Sequence, residues 1–486
     1  MVLRRALAFG IGIAFAGAAP GLAQKAPVAA ATAQRGAAAQ PGVPRTLAEA
    51  LAATYSNQPA LQAERAKLRA TDEGVPTALA GWRPTVVLGG TAGYGNGVSR
   101  SFNPLLGGFE KAVTERDIAT TQATLTQPLY TGGHVQANVN HAKDLVFAER
   151  ATLLAQEQTS FTNAVNAYVG VIENQELLAL NINNEQVLAK QLEATNDRFR
   201  VGEITRTDVA QAEAALAGAK AQRETAEGNL QTARATYLQI IGYEAPSNLV
   251  EPQPLVLPVR TERDAAGLAS ANNPNVVAAE FNDSAAKDSV DVAFSQLLPQ
   301  VSFQAQTFDQ ENAGGRSSEL NGYQATVQVS VPLYQGGAEY SAVRQAKQTE
   351  QQQARLVADA KRTAVQQAVN AWDTLVAATA AAASTRSQIR ANEVALEGVE
   401  REAIVGSRTT LDVLNAQQAL LNSRVTLVQN LAQLVTASYQ VAAAIGRLTA
   451  RDLHLPVPLY DDTAYYQAVK NKWIGLGDSA TNQPGR

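Results

Sequence analysis

Two hydrophobic rhythms take turns along this chain. In Val301-Ser302-Phe303-Gln304-Ala305-Gln306-Thr307-Phe308 apolar and polar residues alternate up to Thr307, and Tyr323 to Val331 alternates throughout. A period of two predicts half-buried strands. Looser equivalents lie at about Thr85 to Gly95 and Ile118 to Gln127, and a polar, Gly-containing connection joins each pair, so two hairpins are expected. The second rhythm is helical. No proline occurs between Pro128 and Pro246 or between Pro332 and Pro456, and both stretches are rich in Ala, Gln, Glu, Leu and Val. One break in each, Val201-Gly202 and Val405-Gly406, separates a long arm from a return arm. The long arm, about Val135 to Arg200, extends on the order of 100 Å as a helix, so it must lie against other helices. In the second return arm Leu411, Gln418, Val425, Ala432 and Tyr439 interleave with Leu414, Leu421, Val428 and Val435 at coiled-coil spacing. The first return arm offers Ala210, Ala214, Ala217 and Ala221 as a close-packing stripe.

The rhythms recur because the chain is duplicated. Asn57 and Pro59 return as Asn272 and Pro274, and Pro84 and Val86 as Pro299 and Val301, at an offset of 215. Pro128-Leu129-Tyr130-x-Gly132-Gly133 returns as Pro332-Leu333-Tyr334-x-Gly336-Gly337 at an offset of 204, which also relates Asp208-Val209 to Asp412-Val413 and Gly242 to Gly446. The 11-residue change in offset falls between Pro84 and Pro128, where a surface loop is expected. The first repeat spans 46–260 and the second 261–455, followed by a tail, 456–486, that belongs to neither.

Composition narrows the function. Among 486 residues, 40 Lys and Arg stand against 44 Asp and Glu, a net charge of −4 without the basic stripe of a nucleic-acid binder. The absence of cysteine excludes disulfides, a thiol nucleophile and a lipid on an N-terminal cysteine. Mean hydropathy of −0.15 argues against many membrane-spanning helices, and the polar residues within Val425 to Gly446 argue against a span there. Residues 1–23 read as a secretory signal peptide, with Arg4 and Arg5 before an apolar run and Gly21-Leu22-Ala23 as the cleavage site. Residues 24–45 read as a flexible lead-in.

The four strands admit two readings, a small soluble sheet or bilayer-crossing strands. Their polar face carries Gln, Thr and Ser rather than charges, and they stand at the ends of long rods, which favours the second. Exposed sheet edges in hydrocarbon cost several kcal/mol per unpaired group, and a closed barrel needs about eight strands. Separate copies must therefore pool strands. Three copies, giving twelve, form the smallest symmetric barrel that leaves an open lumen.

The duplicated plan, with RFRVGEITRTDVAQAEAAL at 198–216 and VGSRTTLDVLNAQQALLNSR at 405–424, resembles the TolC family of outer-membrane channels over roughly Thr46 to Leu448. The resemblance implies a mainly α protein with a transmembrane β part: a trimeric twelve-stranded barrel in the outer membrane continued by a periplasmic helical tunnel. It implies an exit duct for tripartite efflux or type I secretion, a periplasmic adaptor protein, and an inner-membrane ABC or proton-driven transporter as partners. By the same resemblance Asp412 lines the tunnel mouth, and Asn415 stands where the family commonly adds a second acid. Arg408 matches a gate-latch arginine, with Thr207 and Asp208 as its partners, while Ala403 replaces a second latch residue. Gly202 and Gly406 match the tips that adaptors dock against.

Read on their own, Thr205 to Asp208 and Thr409 to Asp412 are helix N-caps, a role compatible with the gate. His134 and His141 lack a third ligand. Gly93, Gly95 and Gly97 do not open a helix after a buried strand, and no P-loop is present, so neither a metal nor a nucleotide is expected. No catalytic grouping is visible. The competing class is an exported coiled-coil envelope scaffold or adhesin without a pore, which has no need of four bilayer-length strands.

Overall fold

A computed structural model describes residues 43–313 and 317–477. The expected signal peptide and most of the lead-in lie outside the described residues.

Three short helices open the described chain: α1 (Leu47–Asn57), α2 (Pro59–Asp72) and α3 (Gly74–Leu79). Thr46 and Glu49 cap α1 reciprocally, and Pro59 starts α2 at a position where its missing N–H costs nothing. A single 3-10 turn, Ala80–Trp82, leads into β1 (Thr85–Asn103) and β2 (Gly108–Tyr130). The long helix α4 (His134–Arg200) and its return α5 (Arg206–Ile241) complete the first repeat. The second repeats the order with α6 (Glu262–Asn272), α7 (Pro274–Ser295), β3 (Gln300–Glu311), β4 (Glu319–Ser330), α8 (Ala338–Ile404) and α9 (Thr410–Ala444). A final short helix, α10 (Ala464–Val469), lies in the tail.

The strands form one antiparallel sheet in the order β1-β2-β3-β4, so β1 and β4 are its edges. Register separates its two faces. Val86, Leu125, Ala305 and Ala325 pair across all four strands, and Phe303 pairs with Val327 beside them. One residue along, Thr85, Thr126, Gln304 and Thr326 pair on the opposite face. Glutamines bridge strands on that polar face: Gln122 donates to Gln306, and Gln304 to Gln328, each at 3.0 Å. An apolar exterior with a Gln- and Thr-lined interior is the pattern of a membrane barrel. Among the described residues no helix is long and apolar enough to cross a membrane.

The structure corrects the sequence reading of the first hairpin. The extra residues do not form a surface loop but lengthen the strands, with 19 residues in β1 and 23 in β2 against 12 each in β3 and β4. At ~3.3 Å per residue, β1 runs about 60 Å and overshoots a bilayer. Gly93, Gly95 and Gly97 are strand residues within it.

The largest core gathers α1, α2 and α3 against α4, α5 and the end of α9, around the fully buried Leu51, Leu68, Phe161, Tyr168 and Tyr237. Burial within one chain picks out particular stripes of the return helices. Ala210, Ala214, Ala217 and Ala221 face outward, and the buried seam of α5 runs through Val209, Ala212, Ala219, Ala226, Leu230 and Tyr237. In α9 the expected Leu421, Val435 and Tyr439 are buried, but toward the tip Val413, Gln417 and Leu420 replace Leu411, Leu414 and Gln418 in the seam.

The tail folds back along the first repeat. The Tyr460 N–H donates to the Tyr55 hydroxyl at 3.0 Å, and the buried Arg65 guanidinium sits between those two rings, 4.5 Å from Tyr55 and 5.1 Å from Tyr460. The Tyr465 hydroxyl reaches Glu73 at 2.8 Å. His134 and His141 are absorbed by packing contacts, with Ser295 at 3.1 Å and the Ala285 carbonyl at 2.8 Å respectively.

Candidate gate at the helix tips

Each long helix turns back through the same short device. At the first tip the Glu203 N–H donates to the Arg198 carbonyl at 3.0 Å, and the Gly202 N–H to the Phe199 carbonyl at 3.0 Å. At the second, Ser407 donates to Glu402 at 3.0 Å and Gly406 to Ala403 at 3.3 Å. These paired bonds satisfy carbonyls that a helix end otherwise orphans, and they require a left-handed residue. Gly202 (φ 79°) and Gly406 (φ 77°) supply it. Space is not the reason for glycine there, since a Cβ at either position meets nothing within 4 Å. Conformation is.

The return helices start with matching capping boxes. Thr205 and Asp208 exchange three bonds: Thr205 N–H to Asp208 Oδ2 at 3.0 Å, the Thr205 hydroxyl to the same oxygen at 2.7 Å, and Asp208 N–H to the Thr205 hydroxyl at 3.4 Å. Thr409 and Asp412 repeat them at 2.9, 2.8 and 3.2 Å. Bonds to the charged form hold both carboxyls below the ordinary aspartate range, chiefly the Thr205 hydroxyl for Asp208 and the Thr409 backbone N–H for Asp412. Capping orients the Asp412 carboxylate without burying it, and Asn415 is exposed one turn further on.

Charge across each turn escaped the sequence reading. At the first tip Arg198 on the helix grips Glu203 in the turn at 2.6 Å. At the second, Glu402 occupies the position equivalent to Arg198, and Arg408 in the turn binds it at 2.8 Å. The two tips carry the same clasp with reversed polarity. Opposite charges five or six residues apart across a Val-Gly step were the available signal. Within one chain Arg408 is thus engaged by Glu402, Asp208 by Thr205, and Thr207 stands exposed beside them. The expected latch set is not brought together inside a single chain.

Residues 50–243 and 265–447, one stretch per repeat, match the family described as outer membrane efflux protein. The outer membrane efflux protein BepC of Brucella suis is 36% identical over 439 residues, covering 90% of this chain and 93% of that one. The outer membrane protein TolC of Vibrio cholerae is 27% identical over 419 residues, covering 84% and 92%. In fold the chain also resembles the outer membrane protein VceC of Vibrio cholerae, with a TM-score of 0.71 over 82% of this chain and 96% of that one at 20% identity. The doubled strand-hairpin and helix-hairpin plan, the capped glycine tips and these matches agree, and the chain belongs to the outer membrane efflux protein family of TolC-like channels.

Proposed function

We propose that three copies of this chain assemble the exit duct of a tripartite efflux system and that its gate is the crown of helix tips. Export through the outer membrane is the family's work; the finer reading concerns assembly and closure. The sheet carries it. β1 and β4 are edge strands, four strands fall short of the about eight that close a barrel, and open edges do not persist in lipid. In a trimer Asp412 recurs three times around the axis, and an anionic ring favours cations. Asn415 leaves that ring single. Arg408 reaches Thr207 and Asp208 of an adjacent tip when the mouth closes and falls back on Glu402 when it opens. Gly202 and Gly406 present bare turns to the periplasmic adaptor, and an inner-membrane ABC or proton-driven transporter supplies energy. The extensive match to BepC, an efflux protein by name, favours small-molecule efflux over protein secretion.

Bilayer recordings test the gate. Arg408→Ala should raise the leak conductance of the closed trimer, and an unchanged closed state rejects the latch. Drug susceptibility together with secreted-protein profiles of a deletion strain tests the cargo class, since loss of secretion without sensitisation reverses the assignment.

A further inference from the structure

The tail ends beside the foot of the sheet. The Arg83 guanidinium, two residues before β1 begins, donates to the Lys472 carbonyl at 2.9 Å and lies 4.7 Å from the Trp473 ring. Trp82 is fixed at the same level, because Gln127 near the end of β2 donates to its carbonyl at 2.9 Å. From this anchored point the described chain exposes a run of apolar side chains: Trp473 is 66% exposed, Ile474 91% and Leu476 107%. The lipid-side residues Val86 and Leu88 of β1, exposed by 71% and 75%, follow Arg83 by three and five residues. The run therefore continues the apolar band of the sheet.

Its place beside the sheet names the occupant. Between Asp462 and Asp478 the tail carries Lys470 and Lys472, with Arg83 stacked on Trp473. Trp beside cations at the level where strands leave hydrocarbon is the composition of a membrane interface, where the ring sits among headgroups and the cations meet phosphate. Arg83, two residues before β1, holds the tail at the point where the sheet enters lipid, so the run meets the bilayer before it can meet another protein. The chain lacks cysteine, so no cysteine-linked lipid is available to it.

We propose that residues 470–477 form an interfacial anchor that inserts Trp473, Ile474 and Leu476 into the periplasm-facing leaflet of the outer membrane, with Arg83 and Lys470 on anionic phospholipid headgroups. The anchor fixes the height of the barrel foot and ties the tail, and through Tyr460 and Arg65 the first-repeat core, to the bilayer.

The absence of cysteine makes the test clean. Ile474→Cys in the full-length trimer, spin-labelled and placed in nanodiscs of phosphatidylethanolamine and phosphatidylglycerol, should show a several-fold higher ratio of oxygen to nickel-chelate accessibility than the same label at Ser407→Cys on the tip. Replacing phosphatidylglycerol with phosphatidylcholine should lower that ratio, and Arg83→Gln with Lys470→Gln should do the same in the original lipid. Because that pair could loosen the tail, bromolipid quenching of Trp473 in a Trp82→Phe, Trp372→Phe background provides a second readout that leaves the cations intact. A label at 474 as accessible to the nickel chelate as the tip label overturns the proposal. So does a label shielded from both reagents, which marks a second copy of the chain as the occupant, and so does a Trp473 that bromolipids fail to quench.

Discussion

The two repeats share a plan and differ in what fills it. In the first, Phe161, Tyr168 and Tyr237 are fully buried, and the Tyr168 hydroxyl sits 2.7 Å from the carbonyl oxygens of both Arg45 and Val250, with one proton shared between them. At the constant offset of 204 these positions become Val365, Trp372 and Val441. The second long helix buries almost only small residues, Ala364, Ala368, Ala371, Ala378, Ala382, Ala403 and Thr385, while Val376 and Val394 remain exposed. Titratable groups follow the same division. Asp72 is fully buried in the first repeat with neither carboxylate oxygen hydrogen-bonded, whereas its counterpart at an offset of 215 is Lys287, exposed and paired with Asp283 at 2.6 Å. Duplication copied the scaffold with a smaller-residue core, Val441, Ile445, Ala364 and Ala368 among its buried members. The first repeat closes an aromatic interior with help from the end of α9; the second leaves more of its long helix for other surfaces to cover.

Emptying the interior of each repeat should separate the two most strongly. Tyr168→Ala should cost about 3–5 kcal/mol and Trp372→Ala clearly less, read as thermal midpoints of the detergent-purified trimer. Equal shifts would mean that the halves are equally packed. A next step uses pH. Burial, partly offset by Arg150, pushes the Asp72 carboxyl up to about 7. The folded chain then holds this proton more tightly than the unfolded one, so stability is full below about pH 4 and drains away as pH rises through 7. Asp72→Asn should match the wild type most closely in acid and exceed it by a few kcal/mol at pH 8, at about 1.4 kcal/mol per pKa unit, whereas Lys287→Asn should leave the slope between pH 5 and 8 unchanged. A slope that survives Asp72→Asn assigns it to other buried acids such as Glu157, which burial also raises. The finest test compares tips. Asn415→Asp should move the reversal potential in a salt gradient toward cations, and the equivalent first-tip change, Gln211→Asp, should move it less.

Much of this was legible beforehand, because proline-free stretches, paired Gly turns and strict alternation each have few structural solutions. The strand faces followed directly from the period of two: a Gln or Thr on every second residue of β4 cannot share a face with Val327 and Val329. The α5 seam was not legible. Ala210 and Ala212 are equally small, and an alanine-rich helix gives hydrophobic periodicity nothing with which to choose between adjacent stripes. The longer first hairpin was missed because Val98, Phe102, Phe109 and Val113 are spaced among Gly, Ser and charged residues without strict alternation, so cross-strand pairing rather than pattern reveals the strands. At the tips the caps were readable from Thr-x-x-Asp, but the clasps Arg198–Glu203 and Glu402–Arg408 join residues on opposite sides of a turn, beyond the reach of helical spacing.

The two long helices, His134–Arg200 and Ala338–Ile404, both contain 67 residues, and their returns 36 and 35. Equality of this kind works as a ruler. Both turns end level only while the arms match, so an insertion in one arm alone would tilt the rim and spoil its fit to any flat-ended counterpart. Reach across the space between two membranes can thus be retuned only by paired changes in both copies, and whole multiples of seven residues are the increments that keep every seam in phase.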